Sequence, residues 1–192
     1  MTKRLAVFAS GTGTNFVALN QAIKERQIPA EIVLLVCDHE QAPVVQRARA
    51  ARIPTLIVDF HAYPNKVAAE TLILRELKAS QVDAVLLAGY MRIVGSTLLQ
   101  GYPHRILNLH PALLPKFPGR HGIEDALAAG VHETGVTVHF VDAGVDTGEI
   151  IAQRAVPVKA DDTVASLAIR IHDAEHDLYP IVLQRLIDDG VL

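Results

Sequence analysis

Asn108 and His110 stand two residues apart at the end of an apolar segment, residues 106–109, that is typical of a buried strand. Residues i and i+2 of a strand point to the same side, so the amide and the imidazole can reach one small group together. Pro111 follows at once and ends the strand. Downstream, Asp146 lies in a turn-rich loop that can fold back toward Asn108 and His110. Together these groups can polarise a carbonyl, stabilise an oxyanion and move a proton.

The pattern Asn-x-His is short, and a histidine at a strand end is often a packed core residue. Its position adds weight to a functional interpretation, because open α/β sheets bind ligands at the carboxyl ends of their strands. Asn108, His110 and Asp146 are therefore candidate catalytic residues, with a packed, hydrogen-bonded histidine as the alternative.

A glycine-containing segment, residues 10–15, joins the first predicted strand to the first predicted helix. Backbone N–H groups at a helix N-terminus bind anions, and Gly13, Thr14 and Asn15 are placed to hold a phosphate group there. Thr14 and Asn15 are also natural helix N-caps, so a tight turn without a ligand explains the same residues. A dinucleotide site is disfavoured, because Phe16 stands where that motif has its third glycine.

Residues 172–176 match the H-x-x-E-H pattern of the inverted zinc proteases. His172 and His176 would share a helix face, but a catalytic zinc of this type needs a further ligand, typically a carboxylate. Only aspartates follow as carboxylates: Asp177 directly after His176, and Asp188 and Asp189 near the end of the chain. We therefore predict a polar helix face with no metal, and Glu175 reaching the active cleft.

Short apolar segments alternate with helical patterns in the first half of the chain. Their near-continuous apolar character is typical of parallel strands that are covered on both faces. The predicted strands are residues 5–9, 32–36, 55–58, 85–88 and 106–109, and the predicted helices are 15–26, 43–52 and 65–80. This βαβα order predicts an α/β fold with a doubly wound, mostly parallel sheet.

The second half of the chain has a different pattern. Residues 134–141 and 150–158 alternate more and flank a glycine-rich turn, which indicates an added strand pair, with an antiparallel order as one option. Asp162 or Thr163 is expected to cap a last helix that runs to about Asp189. We predict one domain, residues 1–192, with lobes at about 1–100 and about 101–192.

The composition limits the classes of partner. The 192 residues include 18 basic and 21 acidic ones, for a formal net charge of −3, which gives no general reason to expect a nucleic acid or a membrane. Cys37 is the single cysteine, so no intramolecular disulfide can form. The sequence has no recognisable signal peptide and no apolar segment as long as a membrane span. We expect a cytoplasmic protein that acts on small molecules.

Four motifs, in one order, carry a resemblance to a known family. Residues 87–93 (LAGYMRI), 108–115 (NLHPALLP) and 135–148 (GVTVHFVDAGVDTG) resemble the formyltetrahydrofolate-dependent formyltransferases. Residues 10–15 (SGTGTN) narrow the resemblance to the phosphoribosylglycinamide formyltransferases. It implies a Rossmann-like formyltransferase fold and transfer of the formyl group of 10-formyltetrahydrofolate, a co-substrate, to the amine of 5-phosphoribosylglycinamide in purine biosynthesis.

The resemblance also implies roles for individual residues. The residues that match the catalytic trio are Asn108, His110 and Asp146. The residues expected to hold the ribonucleotide are Gly13, Thr14, Asn15 and Glu175. The residues expected to contact folate are Lys66, Met91, Arg92, Ile93, Val94 and Asn108, with residues 142–146 as a loop over the pterin. The resemblance implies no metal, no nucleic acid and no membrane partner, and either a monomer or a homodimer.

Two positions depart from the family pattern. Lys66 falls where members often have an arginine, so the charge is kept but the planar bidentate geometry is lost. Arg120 falls where members often have an apolar residue, and the sequence gives no account of its effect.

The expected reaction begins when the substrate amine attacks the formyl carbon. Asn108 and His110 would stabilise the negative formyl oxygen, and Asp146 would favour the imidazolium and help to carry the proton to the departing folate nitrogen. The competing functions are methionyl-tRNA formyltransferase, formyltetrahydrofolate hydrolase and a nucleotide-binding regulatory module. The first would need a tRNA-binding extension, the second usually has a regulatory domain in front, and the third would bind without turnover.

Overall fold

The computed structural model describes all 192 residues, Met1–Leu192. Seven strands and six α-helices follow one another along the chain: β1 Lys3–Ala9, α1 Thr14–Glu25, β2 Ala30–Cys37, α2 Pro43–Ala50, β3 Thr55–Ile57, α3 Lys66–Ala79, β4 Ala84–Leu87, α4 Ser96–Gly101, β5 Ile106–His110, α5 Gly122–Ala128, β6 Glu133–Phe140, β7 Ile150–Pro157 and α6 Val164–Asp188. A short 3-10 helix, Phe60–Ala62, precedes α3.

All seven strands form one sheet in the spatial order β3-β2-β1-β4-β5-β6-β7. The first five are parallel, β6 is antiparallel to β5, and β7 is antiparallel to β6. The predicted α/β fold is confirmed, and the added strand pair is antiparallel. The sequence patterns did not predict α4 and α5, because helices of six and seven residues are too short to show clear helical periodicity.

Strand β1 shows why both faces of the sheet are covered. Its alternate residues Leu5, Val7 and Ala9 belong to one hydrophobic core, together with apolar residues of α1, α2 and α6. Ala6 and Phe8 point the other way, into a second core that includes residues of α3 and α4. A strand buried on both faces has no polar alternation, and this explains its continuous apolar sequence.

The chain reverses its direction of winding between β1 and β4, which are neighbours at the centre of the sheet. Ligands of doubly wound sheets bind at such a switch point, outside the carboxyl ends of the strands. The glycine loop after β1 and the segment after β4 both lie at this edge, as does the end of β5. No helix of the chain is long and apolar enough to cross a membrane.

The long helix α6 supports this edge from one face. Thr163 is the N-cap of this helix and forms the reciprocal hydrogen bonds of a capping box with Ser166. Of the two predicted caps, Asp162 and Thr163, the second is therefore confirmed. Within the helix, the buried hydroxyl of Tyr179 lies 3.1 Å from the carbonyl oxygen of Leu87 and 3.2 Å from that of Leu107. Tyr179 therefore fixes α6 against β4 and β5 close to where these strands end.

Candidate active site

Strands β5 and β6 bring three polar side chains together. Asn108 is paired opposite His139, and His110 opposite Thr137. Directly opposed residues share a face of the sheet, so His139 joins the predicted pair Asn108 and His110. The two histidines are only 2% and 3% exposed. The structure thus brings the predicted pair together and adds a second buried histidine.

Asp146 reaches this group from the loop after β6. Its Oδ2 lies 3.4 Å from Nδ1 of His110, and its Oδ1 lies 3.6 Å from Nε2 of His139. The backbone N–H of Gly119 donates to the same Oδ2 at 2.7 Å. Asp146 has a φ of 54°, a left-handed conformation that Asp and Asn adopt more readily than most residues. The loop therefore directs the carboxylate toward both imidazoles.

The amide of Asn108 is engaged by the same neighbours. Its Nδ2 lies 3.1 Å from Nε2 of His139 and 3.4 Å from Oδ1 of Asp146. Nδ1 of His139 lies 2.7 Å from the carbonyl oxygen of Phe140, to which it donates. In the neutral ring, Nε2 of His139 accepts from the amide of Asn108, whereas in the protonated ring the same nitrogen donates to Oδ1 of Asp146. The longer contact, to Asp146, is the one most easily exchanged for a ligand oxygen.

Both ring nitrogens of His110 face oxygen atoms. Nε2 lies 2.8 Å from the carbonyl oxygen of Phe117, while Nδ1 faces Asp146. A neutral imidazole has one N–H and can donate to only one of these acceptors, whereas the imidazolium donates to both. The geometry therefore suits a protonated His110 beside an anionic Asp146.

The pKa of the Asp146 carboxyl is lowered from its ordinary value. Burial by itself would raise this pKa, but the contact with His139, the N–H of Gly119 and the charge of His110 together outweigh burial. Asp146 is therefore an anion at neutral pH. It can accept a proton or orient an imidazolium, but it does not serve as an acid in its resting state.

Thr137 fixes the proline-bounded loop that follows β5. Its buried hydroxyl donates to the carbonyl of Ala112 at 2.6 Å and accepts from the N–H of Leu114 at 3.1 Å. Gln153 of β7 donates to the carbonyl of Leu114 at 2.8 Å and to the Thr137 hydroxyl at 2.9 Å. The two antiparallel strands thus hold the chain in place immediately after His110.

These side chains border a cleft of about 700 Å³, which we call the catalytic cleft. Its volume lies within the range of small-molecule sites, roughly 300–1,000 Å³. Asn108, His110 and Asp146 line the catalytic cleft, and so do residues 91–94 and Gly144 of the loop after β6. The predicted catalytic trio and four of the other predicted folate residues therefore share one space.

Residues 91–94 present apolar side chains and free backbone groups to this cleft. Met91 and Ile93 are 50% and 62% exposed, so two large apolar side chains lie open to a ligand at the same cleft. Val94 is buried. Neither Ile93 nor Val94 forms a backbone–backbone hydrogen bond. A flat heterocycle that carries both donors and acceptors can therefore bind along this edge.

The side chain of Arg92 supports the same segment. Its Nε donates to Oδ2 of Asp38 at 2.8 Å, and its guanidinium lies 4.2 Å from the centre of the Phe60 ring. Burial raises the pKa of Asp38, but hydrogen bonds from Ser10, His39 and Arg92 outweigh burial and leave that pKa lowered. Asp38 thus neutralises the charge of Arg92. The predicted contact of Arg92 with folate would therefore be made by its backbone groups.

The glycine loop ends in a helix N-terminus without a side-chain cap. Gly13 is the N-cap of α1, and the expectation that Thr14 or Asn15 caps this helix is wrong, since Thr14 is already the first helical residue. Gly13 has a φ of 76°, and a Cβ there would lie 2.4 Å from the side chain of Val44. The N–H groups of the first turn are left unpaired, and such groups bind anions.

Asn15 and Glu175 meet although 160 residues separate them. Nδ2 of Asn15 donates to Oε2 of Glu175 at 2.9 Å, and Nδ1 of His172 lies 2.9 Å from the same oxygen. Glu175 is only 4% exposed and stands one helical turn before Tyr179, on the helix face that meets the sheet. We call Gly13, Thr14, Asn15 and Glu175 the acceptor group.

The acceptor group does not line the catalytic cleft itself. Ser10 joins the two, because its hydroxyl accepts from the N–H of Met91 at 3.0 Å while its own N–H donates to Gly89. The glycine loop and residues 91–94 are therefore held in a fixed relation.

Lys66 lies apart from both groups. It is the first residue of α3, its Nζ is 3.7 Å from Oε1 of Glu70, and it does not line the catalytic cleft. Glu70 also accepts from the N–H of Gly95, so Lys66 borders the far end of the segment that begins at Met91. A folate contact by Lys66 stays a prediction.

The sequence patterns indicated no role for His139. The signal that could have found it is the alternation within β6, where Thr137 and His139 share one face. That signal becomes useful only once β6 is known to pair with β5 in this register.

The H-x-x-E-H pattern forms a polar helix face. His172 and Glu175 bond to each other, and no group of three or more His, Cys, Asp or Glu side chains is arranged to hold a metal ion. The independence of the protein from metals stays a prediction, and metal analysis of the purified protein tests it.

His172 should make stability depend on pH. Its hydrogen bond to Glu175 raises the pKa of His172, against the opposing effect of burial. A raised pKa in the folded state adds stability that is complete below the unfolded value of about 6.5 and is lost as pH rises through the folded value. We expect His172→Gln to destabilise the protein more at about pH 6 than at about pH 9, measured by urea unfolding.

The effect should be modest, because His172 is half exposed and solvent screens the pair. His61→Gln is the matched control, since His61 is exposed and its ring has no partner. Equal destabilisation by His172→Gln at both pH values would show that the ion pair does not contribute.

Comparisons with known proteins agree with the geometry. The family model described as formyl transferase matches residues 3–183. The phosphoribosylglycinamide formyltransferase of Bacillus subtilis is 47% identical over 185 residues, which are 96% of this chain and 95% of that protein. The trifunctional purine biosynthetic protein adenosine-3 of Drosophila melanogaster is 43% identical over 192 residues, and the chain spans 14% of its length.

Solved structures extend the likeness to the fold. The crystal structure of glycinamide ribonucleotide transformylase 1 from Geobacillus kaustophilus is 53% identical, with a TM-score of 0.94 over 97% of this chain and 99% of that one. The formyl transferase model covers most of the chain, and the Bacillus subtilis relative is matched over nearly its whole length. This chain therefore belongs to the formyl transferase family and, within it, to the phosphoribosylglycinamide formyltransferases.

Proposed function

We propose that the chain catalyses the reaction that gives its family its name. It transfers the formyl group of 10-formyltetrahydrofolate to the amine of 5-phosphoribosylglycinamide, giving the N-formyl product and tetrahydrofolate in de novo purine biosynthesis. The observation that carries this proposal is the contact of Asn108, His110 and Asp146 inside the catalytic cleft.

The formyl donor fits the wall formed by residues 91–94. A pterin ring is flat and has several N–H donors and ring acceptors, and the free backbone groups of Ile93 and Val94 can pair with them. The exposed side chains of Met91 and Ile93 supply apolar contact for the rest of the folate. Binding would cover these side chains, which explains why they are exposed in the free protein.

The ribonucleotide fits the acceptor group. The unpaired N–H groups at the start of α1 would hold its phosphate, as Gly13, Thr14 and Asn15 were predicted to do. Glu175, fixed by Asn15 and His172, would hold the amine. Ser10 links this group to Met91 through a hydrogen bond of 3.0 Å, so the binding sites of the two substrates would lie side by side.

The chemistry follows from the three catalytic side chains. The amine nitrogen attacks the formyl carbon, and the carbonyl electron pair moves to the formyl oxygen. That oxyanion takes a hydrogen bond from Asn108, whose contact of 3.4 Å with Asp146 is given up. It takes a second from the His110 imidazolium, one of whose two N–H groups leaves its present acceptor, Phe117 or Asp146, to donate to the oxyanion. The amine loses a proton, the folate nitrogen gains one through Asp146 and water, and the bond between formyl carbon and folate nitrogen breaks.

One assay tests this function against its alternatives. The protein is incubated with 10-formyltetrahydrofolate, with and without 5-phosphoribosylglycinamide, and tetrahydrofolate release is followed. Release only when the ribonucleotide is present is expected. Release without it indicates the hydrolase, and binding without release indicates a regulatory module.

Asn15 should control the affinity for the ribonucleotide. Removing its amide takes away a hydrogen bond that holds the Glu175 carboxylate, so we expect Asn15→Ala to raise the KM for the ribonucleotide by about tenfold. The KM for the formyl donor should stay unchanged. Gln21→Ala, an exposed change on the same helix, is the control for steady-state kinetics. An unchanged ribonucleotide KM in Asn15→Ala would argue against the acceptor group.

We further propose that residues 1–192 work as one domain, with a ribonucleotide-phosphate lobe at about 1–100 and a folate and catalytic lobe at about 101–192. The single sheet shared by both lobes supports one domain. The two roles cross between the lobes, because residues 91–94 of the first lobe line the catalytic cleft and Glu175 of the second bonds Asn15. A cytoplasmic location, and a monomer or homodimer without nucleic acid or membrane partners, are also predictions.

A further inference from the structure

Arg120 crosses the catalytic cleft. Its Nη2 donates to the carbonyl oxygen of Met91 at 3.1 Å, and both residues line the cleft. Arg120 belongs to the loop between β5 and α5, whereas Met91 follows β4. One hydrogen bond therefore joins the wall made by residues 91–94 to the opposite wall.

The loop that carries Arg120 also holds the catalytic side chains. The carbonyl of Phe117 faces His110 at 2.8 Å, and the N–H of Gly119 donates to Asp146 at 2.7 Å. Phe117 and Gly119 both have left-handed backbones, with φ values of 54° and 95°. These bends let four consecutive residues contact three separate partners, so a shift at Arg120 is transmitted to Gly119 and hence to Asp146.

The segment that begins at Met91 has other attachments. The N–H of Met91 donates to Ser10, Arg92 pairs with Asp38, and the N–H of Gly95 donates to Glu70. These attachments lead to the ends of β1 and β2 and to α3, and none of them leads to the loop that follows β5. Arg120 alone connects the backbone of Met91 with the loop that holds the catalytic pair.

The charge of Arg120 is not neutralised by a carboxylate. Arg92, the other arginine of the cleft, is neutralised by Asp38, whereas Arg120 has no carboxylate partner. Hydrogen bonds from a charged donor are stronger than neutral ones. We propose that Arg120 is a positioning residue that holds the pterin-binding segment at a fixed distance from His110 and Asp146. This inference rests on the proposed function, because it assigns the purpose of that segment.

Three variants of the full chain test it. Arg120→Met removes the donor at similar length, Arg120→Lys keeps a cationic N–H donor, and Lys116→Met removes a charge from the same loop outside the cleft. The readouts are the KM for each substrate, kcat, and the affinity for tetrahydrofolate by calorimetry. Thermal unfolding controls for folding, and Arg120→Met should melt within about 2 °C of wild type, because the residue is exposed.

We expect Arg120→Met to raise the KM for the formyl donor and to weaken tetrahydrofolate binding by about tenfold each. The KM for the ribonucleotide should not change, Arg120→Lys should recover part of the loss, and Lys116→Met should behave as wild type. Donor KM and tetrahydrofolate affinity within about twofold of wild type would overturn the inference, as would an equal rise in both KM values.

The two proposals can fail separately. If wild type releases no tetrahydrofolate in the transfer assay but Arg120→Met still weakens tetrahydrofolate binding, the proposed function fails and the role of Arg120 stands. If transfer is normal in wild type and in Arg120→Met, only the role of Arg120 fails.

Discussion

Asp146→Asn should lower kcat by about a thousandfold while leaving the KM for the formyl donor nearly unchanged. In the proposed mechanism, this carboxylate, which faces Nδ1 of His110, stabilises the imidazolium and helps to carry the proton from the attacking amine. Burial raises the pKa of Asp146, but its hydrogen bonds and the neighbouring imidazoles more than compensate. The wild-type carboxylate therefore stays charged from neutral pH down to a pH below the ordinary pKa of an aspartate. The Asn side chain of the variant carries no charge at any of these pH values.

The substitution leaves the backbone intact, so its effect reports on charge. Asn accepts the left-handed φ of 54° as readily as Asp, and its Oδ1 can take the hydrogen bond from Gly119. Glu149→Gln neutralises an exposed carboxylate near the end of the same loop, outside the cleft, and serves as the control. Steady-state kinetics with both substrates decide the matter, and wild-type turnover in Asp146→Asn removes Asp146 from the mechanism.

The sequence predicted the parts of the site that depend on local pattern. Asn108 and His110 share a face because they are two residues apart in a strand, and their position at the strand end follows from the proline after them. The start of α1 directly after the glycine loop was predictable for the same local reason, although the identity of the N-cap residue was not. A cap depends on one residue's backbone angles, which the sequence alone does not determine.

The remainder depends on contacts between distant segments. His139 enters the site through the register of β5 with β6, and Asp38 supports it through an arginine 54 residues away. Arg120 contacts Met91 across the cleft, and these two residues are 29 positions apart in the sequence. Local periodicity does not predict any of these pairings, because each depends on how distant strands pair and on how the loops at their ends fold.

His110→Gln should reduce kcat by about a thousandfold. The amide keeps a hydrogen-bond donor and most of the side-chain volume, but it cannot take up a proton to become a cation as the imidazole does. His110 is 3% exposed and packed between Phe117 and Asp146, so a smaller residue would leave a cavity and an unpaired carbonyl. Glutamine can still donate to Phe117, which limits the loss of stability. The measurement is single-turnover transfer, which separates chemistry from product release.

The combination with Asp146→Asn distinguishes a shared function from two separate ones. If Asp146 acts mainly by holding the His110 imidazolium, then removing either group removes the same interaction. The double variant should then be about a thousandfold slower than wild type, close to each single variant, as groups that act as a unit are strongly non-additive. A loss of about a millionfold would mean that the two effects multiply, and that Asp146 contributes to proton transfer without acting through His110.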